Sequence, residues 1–346
     1  MLRVRGVSHH CGRLGRGIRG VATIQGPVQD HIDPRVKNYV STDNSYLPHR
    51  LDKVSPMALF RPQKFSVTDL TTQYCELRSF YQFIMSEPPI DTRRMEEGTR
   101  IHKELEDAAK VSVQVPEEAV HTPEDAWAAK FLTNIDTIGQ FHQNGMTREL
   151  YVFGTLRGHL VTGYIDLVEM TADKRCRIVD TKTRKSHSLP VESQQASAFH
   201  QLLLYHELFD QLRGDPIDMK VLADRMGIDP QRPISQMLLD TFGKPAQSLQ
   251  SVYQDLNQAF STLPPPSSNL RVDYMTNVGR GVHRHVTTLA SIEYQFDPAV
   301  LDELIEFSLA FWQGQRNPLG VQAHELTKCE WCPMAPKCKW RESLES

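Results

Sequence analysis

The chain has 346 residues, enough to bury one large core or one core with a sizeable insertion. Its 40% hydrophobic and 23% charged residues are ordinary for a globular protein, and no apolar run approaches the roughly 18 residues a membrane helix needs. A formal net charge of -3 gives the whole chain no nucleic-acid signature, and without a GxxxxGK[ST] sequence it encodes no ATP-driven motor.

The first 29 residues differ from the rest. They hold five arginines (Arg3, Arg5, Arg13, Arg16, Arg19) and no acid before Asp30, the composition of a mitochondrial transit peptide rather than a secretory signal. The competing reading is a basic tail, since six glycines make a poor helix. Removal of the segment would leave (39 - 5) - 42 = -8, so a protein this acidic must concentrate positive charge locally to meet a polyanion. Residues 1–29 are therefore assigned to a leader for the mitochondrial matrix, and 30–64, with four prolines, to a linker. One domain is assigned to 65–346.

From Ser66, Leu70, Tyr74, Leu77, Tyr81 and Ile84 recur at helical spacing after a Ser66–Asp69 capping-box pair, which predicts one helix carrying Cys75. Further helices are expected over about 91–110 and 123–143. From 147 the period switches to two, in "TRELYVFGTLRGHLVTGYIDLVEM" and "RCRIVDTKTR". Turns at Gly154–Gly158 and Thr171–Lys174 predict an antiparallel meander. A long helix follows over 190–212, then a helical insertion over 213–245 placed as a lid. After a break at Pro264–Pro266 come the strands "RVDYMTN" and "VTTLASIEYQF" and a helix over 298–314. This order predicts a mixed α/β domain.

The chemistry concentrates in "GYIDLVEM...RIVDTKTR". Asp166 lies on one expected strand, and Asp180 and Lys182 share a face of the next. Two carboxylates meeting from neighbouring strands suit a hard divalent cation, Mg²⁺ or Mn²⁺, and Lys182 adds a positive charge for a water or a phosphoryl oxygen. D-x-K alone is weak; "IDMK" at Asp218–Lys220 also matches, in a helical context.

Six cysteines without a secretory signal argue for thiols rather than disulfides. Cys11 lies in the leader, and Cys176 in an apolar strand. Cys75, Cys329, Cys332 and Cys338 remain, the number that completes a tetrahedral zinc site or a cubane iron–sulfur cluster; spacing leaves both open. Trp127 and Trp312 are candidates for stacking on bases, and Trp331 and Trp340 are expected to pack around the cysteines. Arg184, Lys185, Lys337, Lys339 and Arg341 are candidates for a nucleic-acid backbone, with His283 and His285 as an exposed strand face.

Taken together, the order of motifs resembles the iron–sulfur branch of the PD-(D/E)XK (restriction-endonuclease-like) nucleases, and within it the exonuclease V family of the mitochondrial, fungal type. The resemblance rests on "GTRIH" (Gly98–His102), the Asp of "GYIDLV", "VDTKTR", "QLLLY" (Gln201–Tyr205) and one cysteine upstream of a C-x2-C-x5-C run, across about 60–345. It implies a [4Fe-4S] cluster on Cys75, Cys329, Cys332 and Cys338, joining the N- and C-terminal parts of the domain. It implies Mg²⁺ (or Mn²⁺) on Asp166, Asp180 and His102, with Lys182 acting at the water. Gln201 and Tyr205 would contact DNA or brace the catalytic strand, and Glu149 is a further ligand candidate. Many members carry Glu where this chain has Asp180, one methylene shorter. The resemblance further implies a monomeric, single-strand-specific DNA exonuclease, 5′ to 3′, releasing short oligonucleotides in mitochondrial genome maintenance. The alternative is a non-catalytic, zinc-stabilised nucleic-acid-binding protein on the same fold.

Overall fold

A computed structural model describes residues 23–25, 55–71, 75–85, 99–101, 104–105, 113–184, 188–278 and 285–342. Strands β1 (Thr23–Gln25), β2 (Phe65–Ser66), β3 (Met146–Leu156), β4 (His159–Met170), β5 (Cys176–Arg184), β6 (Asn269–Val278) and β7 (His285–Gln295) form one sheet among the described residues. Its order is β1-β7-β6-β5-β4-β2, with β3 also on β4. The helices are α1 (Pro56–Phe60), α2 (Val67–Leu70), α3 (Glu76–Met85), α4 (Pro123–Asn144), α5 (Glu192–Gly214), α6 (Met219–Met226), α7 (Gln236–Thr241), α8 (Leu249–Ser261) and α9 (Pro298–Trp312), followed among the described residues by the single turns Thr327–Glu330 and Lys339–Glu342. The fold is mixed α/β: β3–β4–β5 is the antiparallel meander, while β5–β6 runs parallel and needs the long crossover through α5–α8. β1 lies inside the segment assigned to a leader and pairs parallel with Ser291–Glu293 of β7.

The β3–β4 turn falls at Arg157–Gly158, where φ is +47° and +78°, not at Gly154. Gly154 lies within β3, where a Cβ would lie 2.4 Å from Gln211 Oε1. That Gln211 amide, from α5, accepts from Thr155 N at 3.1 Å and donates to Thr155 O at 3.3 Å, tying helix to strand. One apolar core joins Trp127 and Phe131 of α4, Tyr151 and Phe153 of β3 and Tyr253 of α8. α4 begins on a Thr122–Asp125 capping box with Pro123 in its first turn and ends at Gly145, φ +70°.

The single helix expected from Ser66 is two. The Ser66–Asp69 capping box is present, but α2 ends at Thr71, in extended conformation. Trp312 Nε1 donates to Asp69 O at 2.9 Å and Ser308 Oγ to Leu70 O at 2.7 Å, so α9 occupies carbonyls that a continuing helix would use. Cys75 then precedes α3 instead of lying mid-helix. The helix expected over 91–110 falls largely outside the described residues; 99–101 and 104–105 are helical. The 213–245 stretch contains α6 and α7, packed into the core through Leu222, Leu238 and Leu239. It is fastened to α4 by Asp229 N donating to Glu124 Oε1 at 2.9 Å and Ser235 N to Asp125 Oδ1 at 2.8 Å.

Candidate active site

One edge of β4 is shared by two partners. β2 pairs at Val161–Thr162 and β5 at Leu167–Met170, which leaves Gly163–Ile165 without a strand partner on that edge among the described residues. A backbone opened in this way needs other hydrogen-bond partners. The Asp166 carboxylate supplies one: Thr181 N donates to its Oδ2 at 2.6 Å. One further step of the β4–β5 register, from Leu167 opposite Val179, would bring Asp166 opposite Asp180.

Asp180 is 2% exposed. Lys182 Nζ donates to its Oδ1 at 3.0 Å and to Gln201 Oε1 of α5. Asp180 Oδ2 lies 3.0 Å from the same ammonium but accepts no hydrogen bond among the described residues, an orphaned buried carboxylate oxygen. Burial works against the Lys182 charge, but Asp180 and then Asp166 outweigh it and hold its pKa above the ordinary lysine value. Tyr205, one helical turn beyond Gln201, is 7% exposed and meets the backbone of Tyr164. Burial, then the charges of Asp166, Asp180 and Glu149, push its phenol well above the usual range.

Gly163 makes this approach feasible. A Cβ there would stand 2.7 Å from Tyr205 Cε1 and 2.9 Å from Val67 Cγ2. Glu149, where the β3–β4 pairing skips between Arg148 and Leu150, has φ +53°, a strained setting for a non-glycine residue. The structure thus brings Asp166, Asp180, Lys182, Gln201, Tyr205 and Glu149 into one electrostatic neighbourhood. His102 lies outside the described residues. Asp180 and Asp166 are a donor set that suits a hard cation, and the orphaned oxygen is the observation that fits it. Asp218 of "IDMK" is instead the N-cap of α6, accepting from Lys220 N at 2.7 Å. Tyr274 was missed by sequence reasoning: it pairs with Lys182 in the β5–β6 register, and its buried hydroxyl has no partner among the described residues. Burial, then Tyr294 and Asp180, raise its pKa.

Cys75, Cys329, Cys332 and Cys338 form no disulfide and line one pocket with Arg78, Met334 and Trp340. Arg78 N donates to Cys75 Sγ at 3.4 Å. Burial pushes the Cys75 thiol up to about 12, against the Arg78 hydrogen bond and with help from the three other cysteines. Among the described residues no three His, Cys, Asp or Glu side chains form a group that could hold a metal ion. The donor chemistry still fits a thiolate-ligated group: four thiols share a pocket and are not consumed in disulfides. Cys176 is a buried core thiol, and Cys11 lies outside the described residues.

The other candidates separate. Trp127 is 5% exposed and Trp312 is buried, so neither offers a face to a base. Trp340 packs on Gly320, where a Cβ would come within 2.5 Å of the indole, but Trp331 is 86% exposed and does not cover the cysteines. Chain direction explains the difference: the 329–332 turn, closed by Cys332 N donating to Cys329 O at 3.2 Å, leaves Glu330 and Trp331 outward. Arg184 donates to Ser188 O at 3.3 Å. Lys185 and His283, and the side chains of His285, Lys337 and Lys339, lie outside the described residues.

The family model described as "Exonuclease V - a 5' deoxyribonuclease" matches residues 55–176, 169–262 and 244–341. The curated protein Exonuclease V of Danio rerio is 28% identical over 301 residues, 84% of this chain and 73% of the relative. A solved structure described as the crystal structure of SSO0001 covers 84% of this chain and 91% of its own, at 14% identity and TM-score 0.38. The family match spans most of the chain: it belongs to the exonuclease V family, a family of DNA exonucleases.

Proposed function

We propose that the protein is a metal-dependent, single-strand-specific DNA exonuclease working from the 5′ end in the mitochondrial matrix, built on a PD-(D/E)XK core. The observation that carries this reading is the buried Asp180 Oδ2, which accepts no hydrogen bond among the described residues and lies beside Asp166 and the Lys182 ammonium, in a chain of the exonuclease V family. Asp166, Asp180 and His102 would hold Mg²⁺ or Mn²⁺, which when bound supplies Lewis acidity toward a phosphoryl oxygen. The overall step is hydrolysis: water adds to phosphorus, the bond to the leaving oxygen breaks, and that oxygen takes up a proton.

The chain's own residues set up this step. Gln201 and Asp180 fix the Lys182 ammonium, which then faces the charge that builds on the phosphoryl oxygens or orients the attacking water. Tyr205 stays protonated and braces the unpaired segment of β4 by packing on Gly163. Cys75, Cys329, Cys332 and Cys338 would hold a [4Fe-4S] cluster in a structural role. The family's description supports the 5′ direction, and the arginine-rich, acid-free first 29 residues support mitochondrial targeting. The protein acts as a monomer in this reading.

The test compares anaerobically purified wild type with Asp180→Ala on a 5′-labelled single strand, with Mg²⁺ and with Mn²⁺. The variant should lose activity on the order of a thousandfold, the scale of several kcal/mol of transition-state stabilisation. Its absorbance near about 400 nm, the mark of iron–sulfur against colourless zinc, should be unchanged. A metal-loaded wild type that leaves the strand intact, whichever end is labelled, would sink the enzyme reading in favour of a zinc-stabilised binding module.

A further inference from the structure

Two lysines meet the same aromatic surface, formed by Trp127 of α4 and Tyr151 of β3, the strand paired with β4. Lys64, immediately before β2, sits 5.5 Å from the Trp127 ring centroid. Lys130, one turn along α4 from Trp127, sits 5.3 Å from that ring and 5.2 Å from Tyr151. Neither forms a salt bridge with any carboxylate among the described residues, in a protein with 42 acids against 39 basic side chains. Burial lowers the pKa of both, and Lys64 adds repulsion at Lys130. Two like charges gathered on one ring without a counter-charge are unfavourable unless an anion completes the site.

The neighbourhood says which anion. Tyr151 pairs with Tyr164 across β3–β4, and their rings lie 4.9 Å apart. Tyr164 is 44% exposed, unusual for an aromatic ring inside a sheet, and lies two residues before Asp166 on the unpaired edge. Lys64 leads directly into β2, which pairs with Val161–Thr162 of the strand that carries Tyr164. Cations for phosphates on Trp127 and Tyr151, joined through Tyr151 to an open Tyr164 ring two residues from Asp166, suit a single strand; a duplex keeps its base faces stacked inside.

We propose that Lys64, Lys130 and Tyr164 form a subsite for the DNA strand next to the scissile phosphate, with the lysines on backbone phosphate and Tyr164 stacked on an unpaired base. This deepens the reading of the same site as a DNA exonuclease and rests on it. The subsite explains how an acidic chain holds a polyanion: the charge is local.

The experiment measures binding without turnover. The parent is the full chain carrying Asp180→Asn, titrated by fluorescence anisotropy with a labelled single strand of ten nucleotides over a range of salt. Lys64→Gln with Lys130→Gln should weaken binding at least tenfold at low salt. It should also flatten the slope of log Kd against log salt by about 1.4, at roughly 0.7 per phosphate contact on a single strand. Tyr164→Ala should weaken binding about tenfold with the slope unchanged, since stacking releases no counterions. Lys244→Gln, which removes a lysine that lies 3.5 Å from Asp255, controls for net charge and should change neither. Arginine at 64 and 130 should restore the slope, and thermal melting of each variant separates binding from folding. A double variant within twofold of the parent in affinity and slope overturns the subsite while leaving the exonuclease reading intact. A parent that binds no single strand overturns both.

Discussion

Gly163 illustrates how one missing methyl group sets the site. The Tyr205 ring and Val67 occupy the space a Cβ would take, and Tyr205 is too enclosed to swing away. Gly163→Ala should therefore cost about 1–3 kcal/mol, as overpacking in a tight interior does, and should lower nuclease activity by displacing Tyr205 from the unpaired edge. Gly139→Ala, in the middle of α4 with nothing near its absent Cβ, should instead stabilise by about 0.5–1 kcal/mol. Denaturant midpoints and single-strand degradation on the two variants check the contrast. Equal stabilities would mean that the close approach at Gly163 relaxes at no cost. At this scale much of the site was legible: a spacing of two aligned Asp180 with Lys182, and a spacing of four aligned Gln201 with Tyr205. The lysine pair was not. Lys64 and Lys130 meet only because β2 pairs with β4 while α4 packs on the neighbouring β3, and no local period carries that fact.

At the scale of elements, two buried acids at the start of α4 hold the α6–α7 stretch. Burial would raise the pKa of Asp125, but hydrogen bonds from Ser235 N, Thr122 and His121 N outweigh it and leave it below the ordinary value. Glu124 is lowered for the same kind of reason, with Asp229 N the strongest opposing partner. A depressed folded-state pKa gives stability that is complete above the unfolded value, near about 4, and is lost as pH falls through the folded value. Amide exchange in α6 and α7 should therefore accelerate below about pH 4 ahead of the β3–β4 hairpin, and Asp125→Asn should move that opening toward neutral pH. Simultaneous exchange of both regions would show that the fastening contributes nothing separate. These acids also show what sequence reasoning misses. The meander, α4, α5 and α9 follow from period and caps. α8 was overlooked although Leu249, Val252, Tyr253, Leu256 and Phe260 carry its helical period. The break after α2 was illegible because α9, more than 200 residues later, claims its carbonyls.

For the whole molecule, the question is what closes the chain on itself. The four cysteines span 338 - 75 = 263 residues, but they are not the first closure. Arg316 donates to both Glu76 oxygens at 2.7 Å, lies 3.6 Å above the Phe307 ring, and has Leu319 N donating to Glu76 Oε2 at 2.8 Å beside it. Glu76 N and Leu77 N donate to Leu319 O at 2.8 and 3.1 Å. This clamp sits one residue after Cys75 and 13 before Cys329, so with it in place the thiols close a short loop rather than a long one. Since closure entropy grows as the logarithm of length, the clamp lowers the cost of bringing Cys75 to Cys329 by about 2.5 kcal/mol. Arg316→Met leaves the Glu76 carboxylate buried and unpaired, at a cost of about 3–5 kcal/mol, and lengthens the loop again. It should lose the proposed thiolate-bound cluster to a chelator markedly faster than wild type, while Glu76→Gln with Arg316→Met, which buries no lone charge, recovers part of the stability. Stripped wild type should keep its C-terminal segment protected from protease, because the clamp does not need the thiolates; the stripped Arg316→Met variant should not. If stripping alone releases the segment in wild type, the cysteines and not the clamp hold the molecule closed.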